Sequence, residues 1–130
     1  MTPPTLTAGY AALLAILYIA MSAYVIATRA KTNVLLGDGG NPTMLLAMRR
    51  HGNLSEYAPI ALLVMGFAEM LGLGTIWLHT AGLLLLAGRL LHPFGLHSEP
   101  GGVAPRIAGT LATMAAILIP TVAILVFAVV

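Results

Sequence analysis

The sequence predicts an all-α fold, an integral membrane four-helix bundle with left-handed, up-down topology. Three observations predict it. Apolar residues make up 59% of the 130 residues and Asp, Glu, Lys and Arg only 8%, against roughly 45–50% and about 25% in an average soluble domain. The apolar residues gather in four runs, each near the ~20 residues that carry a helix across a bilayer. Those runs are continuous and lack the alternation of barrel strands, so helices are the spanning structure available to them. With six basic and four acidic side chains, the chain cannot cover a soluble surface, which excludes a soluble enzyme and a disordered tail. A net charge of +2 is no nucleic-acid patch. Cysteine is absent, so there is no disulfide, no thiolate metal site and no cysteine nucleophile. Any thiol chemistry needs a thiol brought by the substrate.

The chain reads as one membrane domain, residues 1–130, with spans at about 8–28, 43–71, 75–92 and 107–129. The start, MTPPTLT, lacks the basic region of a signal peptide, so the first span is expected to be retained. Gly37 to Pro42 form a turn-rich first loop, with Thr43 a candidate cap for the second helix. Gly72-Leu73-Gly74 form a short second loop, and His92 to Pro105 the third. Pro59 and Pro120 fall inside spans two and four, where each removes a backbone donor and should kink its helix.

The basic residues set an orientation. Arg29, Lys31, Arg49, Arg50, Arg89 and Arg106 all lie in or beside loops one and three. By the positive-inside rule those loops face the cytoplasm and both termini lie outside. Trp77 then fits an anchor at the outer interface, and Glu69, near the same boundary, is expected to be solvated.

Glu56 does not belong in lipid. It stands about 22 Å from the outer end of span two at ~1.5 Å per residue, hence roughly 8 Å inside a hydrocarbon layer ~30 Å thick. An unpaired carboxylate there costs at least a few kcal/mol, so Glu56 should face protein or a polar cavity. Arg49, Asn53 and Glu56, at i, i+4 and i+7, share one helix face, with Tyr57 at its edge. The stripe is either an interhelical polar clamp that fixes packing or a ligand site. Arg29 ends span one, a position that snorkelling and the helix dipole also explain. Arg89 and His92 share a face near the end of span three. Arg106 opens span four, where a cation opposes the helix dipole and hints at a nearby anion. His51 and His97 are too far apart to read as a metal pair, and no metal is expected. Five arginines from four helices are thus expected to converge on one inward-facing cluster with a buried Glu56 and Asn53. Such a cluster suits a small zwitterion with carboxylates for the arginines and an amine for the glutamate.

Arg49-Arg50-His51-Gly52-Asn53-Leu54-Ser55-Glu56-Tyr57-Ala58-Pro59 resembles the MAPEG family, the membrane-associated proteins in eicosanoid and glutathione metabolism. The pattern Arg-x3-Asn-x2-Glu-Tyr-x-Pro is that family's most specific mark. The likeness continues through Val25 to Arg29, the Gly-Asp-Gly-Gly loop, Gly88-Arg89-x2-His92-x2-Gly95 and Arg106-x2-Gly109, and is greatest to the bacterial branch. The resemblance implies a homotrimer in the bacterial inner membrane that binds glutathione between subunits, as a co-substrate and without a metal. By position, Arg29, Arg49, Asn53, Glu56, Tyr57, Arg89 and His92 match the glutathione-binding region. Arg106 matches the catalytic arginine that stabilises the glutathione thiolate. Where the leukotriene C synthase branch has two tyrosines after the third-helix arginine, this chain has His92 and Leu96. The implied activity is that of a glutathione transferase or peroxidase acting on hydrophobic electrophiles or lipid peroxides that arrive through membrane lipid. The alternative is a non-catalytic membrane protein that binds glutathione or another small anion structurally. A small multidrug transporter has similar length, but that class uses an acidic residue in helix one, and none is present here.

Overall fold

The computed structural model describes residues 3–96 and 103–129. Four helices follow in order: α1 Thr5–Thr32, α2 Pro42–Met70, α3 Thr75–Leu91 and α4 Ala104–Val129, with a 3-10 turn, His92–Gly95, directly after α3. Residues 97–102 of the third loop, His97 among them, lie outside the described residues.

Local chemistry sets the helix ends. α1 runs on to Thr32 and stops at Asn33, which takes a left-handed conformation at φ 55°, one that Asn tolerates better than most side chains. At the start of α2 the expected Thr43 cap is corrected. Asn41 is the N-cap, its side-chain oxygen accepting from the Thr43 and Met44 amides. Pro42 occupies the first helical position, where its missing N–H costs nothing and its fixed φ suits the helix. Gly72, at φ 94°, reverses the chain between α2 and α3, a conformation that glycine alone adopts cheaply. Both α2 and α4 continue through their internal prolines, Pro59 and Pro120.

α1 packs against α2 and α3, and α4 against α3 and α2, so α2 and α4 are neighbours while α1 and α4 stand on opposite sides of the bundle. Small residues line the contacts of α2: Ala47, Ala58, Ala61 and Ala68 are all buried. Small side chains let backbones approach where lipid offers no hydrophobic driving force between helices. α3 lies close against the backbone of α4, where a Cβ on Gly88 would lie 2.7 Å from the Gly109 carbonyl oxygen. Outward, Ile16, Ile19 and Ile26 on α1 and Leu111, Leu118 and Leu125 on α4 are each more than 60% exposed. Continuous apolar faces of this kind are insoluble in water and suit lipid. Trp77 is exposed in the first turn of α3.

Glu69 corrects a second expectation. It is buried rather than solvated. One carboxylate oxygen accepts from the Leu6 amide at 2.9 Å, and the other from the Thr7 amide at 2.8 Å and the Thr7 hydroxyl at 2.6 Å. Pro4 supplies no side-chain cap of its own, so a carboxylate from the far end of α2 caps α1. Glu69→Ala would leave two helix-terminal N–H groups unpaired. It is expected to destabilise the bundle by about 1–3 kcal/mol, read as a lower thermal midpoint in detergent, with Glu69→Gln intermediate.

Candidate functional site

The start of α2, the 3-10 turn and the start of α4 meet around a cavity of about 400 Å³, lined by Pro42, Leu45, Leu46, Arg49, Asn53, His92, Leu96 and Arg106. That volume lies within the range of about 300–1,000 Å³ typical of small-molecule sites. α2 contributes one stripe, Pro42, Leu45 or Leu46, Arg49 and Asn53, repeating every three to four residues along one face. The 3-10 turn is drawn onto α4 at Gly95, where any Cβ would overlap the Arg106 backbone. This contact sets His92 and Leu96 beside Arg106. Arg50 holds the same wall from behind, donating to the Leu96 carbonyl at 2.8 Å and to the Tyr24 hydroxyl at 3.3 Å.

The polar lining is two guanidiniums, one amide and one imidazole, with no carboxylate among the lining residues. Arg49 and Arg106 are exposed, Asn53 is half-buried and His92 is buried. His92 stands one residue past the end of α3. Burial pushes its imidazole down to about 4, and the charges of Arg89 and Arg106 add in the same direction. It is therefore neutral at pH 7. Because the unfolded chain has an ordinary histidine near 6.5, acid protonates the unfolded state first. The stability linked to this site is complete above about pH 6.5 and is lost as the pH falls toward 4. Melting in detergent between pH 7.5 and 4.5 should show this loss, and His92→Gln should flatten it. An equal slope in the variant would contradict it.

The remaining expected site residues are placed differently. Arg89 is 3% exposed and lies behind Asn53 rather than on the cavity wall. Its guanidinium donates to the Asn53 side-chain and main-chain oxygens and, at 3.2 Å, to the Gly109 carbonyl. The guanidinium carbon stands 5.4 Å from the centre of the half-buried Tyr57 ring. Arg29 points to the first loop, donating to the Gly37 and Val34 carbonyls at 2.9 and 3.3 Å. The expected convergence of five arginines is thus corrected: Arg49 and Arg106 share the cavity, Arg89 supports it, and Arg29 and Arg50 bind carbonyls around it. Glu56 is exposed on the surface of α2 in the single chain and does not line the cavity. A helix stripe spans more arc than one groove between neighbours can enclose, so its end emerges on the surface.

Sequence reasoning missed the apolar walls, Leu45, Leu46 and Leu96. The first two precede Arg49 by four and three residues, so extending the polar stripe by one turn finds them. His51 turns the other way, toward α1, with Nε2 2.9 Å from the Ser22 hydroxyl and its ring against Tyr18.

These features define a four-helix membrane bundle with an anion-suited pocket at one end. The chain belongs to the MAPEG family, whose profile matches residues 7–126. It is similar to the Inner membrane protein YecN of Escherichia coli strain K12, 41% identical over 117 residues that cover 90% of this chain and 88% of the relative. The protein of the same name from Escherichia coli O6:H1 matches with the same identity and coverage.

Proposed function

We propose that this protein is a glutathione transferase or peroxidase of the bacterial inner membrane, activating the glutathione thiolate against hydrophobic electrophiles or lipid peroxides. The observation that carries the reading is the pocket in which Arg49, Asn53, His92 and Arg106 meet, with no carboxylate among the described residues that line it. Its donors match the carboxylates and carbonyls of the tripeptide, and two of its residues belong to the motif that marks the family. Family membership and the inner-membrane name of the relatives support the same reading. Loops one and three face the cytoplasm, where glutathione is dissolved, and both termini lie outside.

Exposed Glu56 and the outward end of its stripe support a homotrimer. A carboxylate left against acyl chains costs several kcal/mol, and a neighbouring subunit that covers α2 removes that cost. Glutathione then lies between subunits, its amine on Glu56 and a carboxylate on Arg49, with Tyr57 at the edge of the site. Arg106 faces the sulfur. A free thiol has a pKa of ~8.5, and lowering it two units takes about 2.7 kcal/mol. One guanidinium ~4 Å away at an effective dielectric near 20 offers about 4 kcal/mol before desolvation. The thiolate forms the new S–C bond as the electrophile's leaving group departs with its electron pair. With a hydroperoxide it attacks the outer oxygen, the O–O bond breaks, and the departing alkoxide takes a proton to leave as the alcohol; the glutathione sulfenic acid formed then reacts with a second glutathione thiol, giving the disulfide and water.

Calorimetric titration and ultraviolet thiolate absorbance with glutathione on purified protein test this reading. Binding with an absorbance that titrates well below 8.5 is expected. No binding overturns the proposal, and binding without thiolate moves it to a non-catalytic role.

A further inference from the structure

We infer that Arg89 is a positioning residue that turns the Asn53 amide so that its NH2 group faces the pocket and receives a carboxylate or carbonyl oxygen of the ligand. The inference rests on the glutathione reading for its ligand, but its geometry stands on this chain alone. A guanidinium only donates, so the Asn53 side-chain atom that Arg89 Nη1 touches is the oxygen. Asn53 also lines the cavity, and with its oxygen engaged behind, the group left for the ligand is the NH2 donor.

Arg89 is built for this task and not for direct contact. It is 97% removed from solvent by its 3% exposure and is absent from the cavity wall. The second nitrogen of its fork is anchored on the Gly109 carbonyl, which also accepts from the Thr113 hydroxyl at 2.9 Å. The guanidinium can reach that carbonyl because α3 and α4 close together over Gly88 and Gly109. Its partners among the described residues are the oxygens of Asn53 and Gly109 and the Tyr57 ring, all neutral, and its Nε has none among them. The buried positive charge is therefore not cancelled by a carboxylate among these partners. It polarises the Asn53 amide and makes its outward NH2 a stronger donor. The subsite at Asn53 accordingly selects an oxygen acceptor over an amine, which distinguishes it from the carboxylate at Glu56.

A double-mutant cycle read by glutathione calorimetry tests the inference. Arg89→Met is expected to raise Kd about tenfold, the scale of one lost charge-supported hydrogen bond. In the Asn53→Ala background the same change should have no further effect on Kd, whereas a direct contact or a general loss of structure would weaken binding in both backgrounds. Arg89→Lys retains a donor for the Asn53 oxygen and should recover most of the affinity; it also serves if the Met variant does not fold. A ligand-free reading comes from the Asn53 side-chain amide in 15N spectra, expected to be ordered in the wild type and mobile in Arg89→Met or, failing that, partly loosened in Arg89→Lys. Additive effects in the cycle, or an amide equally mobile in wild type and variant, overturn the inference. Absence of glutathione binding to the wild type removes the glutathione reading instead, and the amide spectra then decide the role of Arg89.

Discussion

Replacing Arg106 with alanine is expected to lower glutathione-dependent turnover about 100-fold, the usual loss when one donor to a developing anion is removed, while Kd for glutathione changes by less than about threefold. Arg106 is the third residue of α4 and lines the cavity from an exposed position. It sits among the free N–H groups of a helix start, which already favour an anion. Its own charge opposes the helix dipole there, so its removal should raise rather than lower stability, by about 0.3–1 kcal/mol. Falling turnover with unchanged or higher melting temperature separates a chemical role from a structural one. The thiolate absorbance of bound glutathione should shift to higher pH in the same variant. Full turnover in Arg106→Ala would transfer the thiolate role to another group of this pocket, His92 or Arg49.

The helices were legible because each is an apolar run bounded by turn chemistry, and Gly72 and the Asn41-Pro42 pair stand where the chain breaks. The choice of cap was less so, since both Asn41 and Thr43 are good caps. Pro42 carries the deciding signal, because it belongs at the first helical position and so makes its predecessor the cap. Glu69 shows where local reading ends. Nothing near it in sequence announces that its partners are Leu6 and Thr7, more than sixty residues away. The site divides in the same manner. Spacing places Arg49 and Asn53 on one stripe, as found, but a helical wheel does not say which groove each arc will meet. That depends on how α2 lies against α4, a contact permitted by small residues on several helices. The arginines illustrate the point, because Arg29 is drawn to the carbonyls of its own loop. Arg89 is drawn inward by the Gly109 carbonyl, brought within reach where two glycines let α3 and α4 close together.

Glu56→Ala should separate the two readings of the polar stripe. As a ligand site, Glu56 holds the ammonium group of glutathione, a charge-assisted contact worth about 1.5–3 kcal/mol. Its loss should raise Kd about 10–100-fold. The fold of the single chain should not suffer, because Glu56 is exposed in it. As an interhelical clamp, Glu56 would bind a neighbouring subunit, and its loss would shift the oligomer toward single chains in detergent while any surviving oligomer kept full affinity. Glutathione calorimetry and sedimentation on the same sample read both quantities together. Weakened binding in an intact oligomer supports the amine contact. Unchanged affinity with a dissociated oligomer assigns Glu56 to assembly alone, and the stripe from Arg49 to Glu56 would then divide its duties, its first two residues facing the ligand and its last a neighbouring subunit.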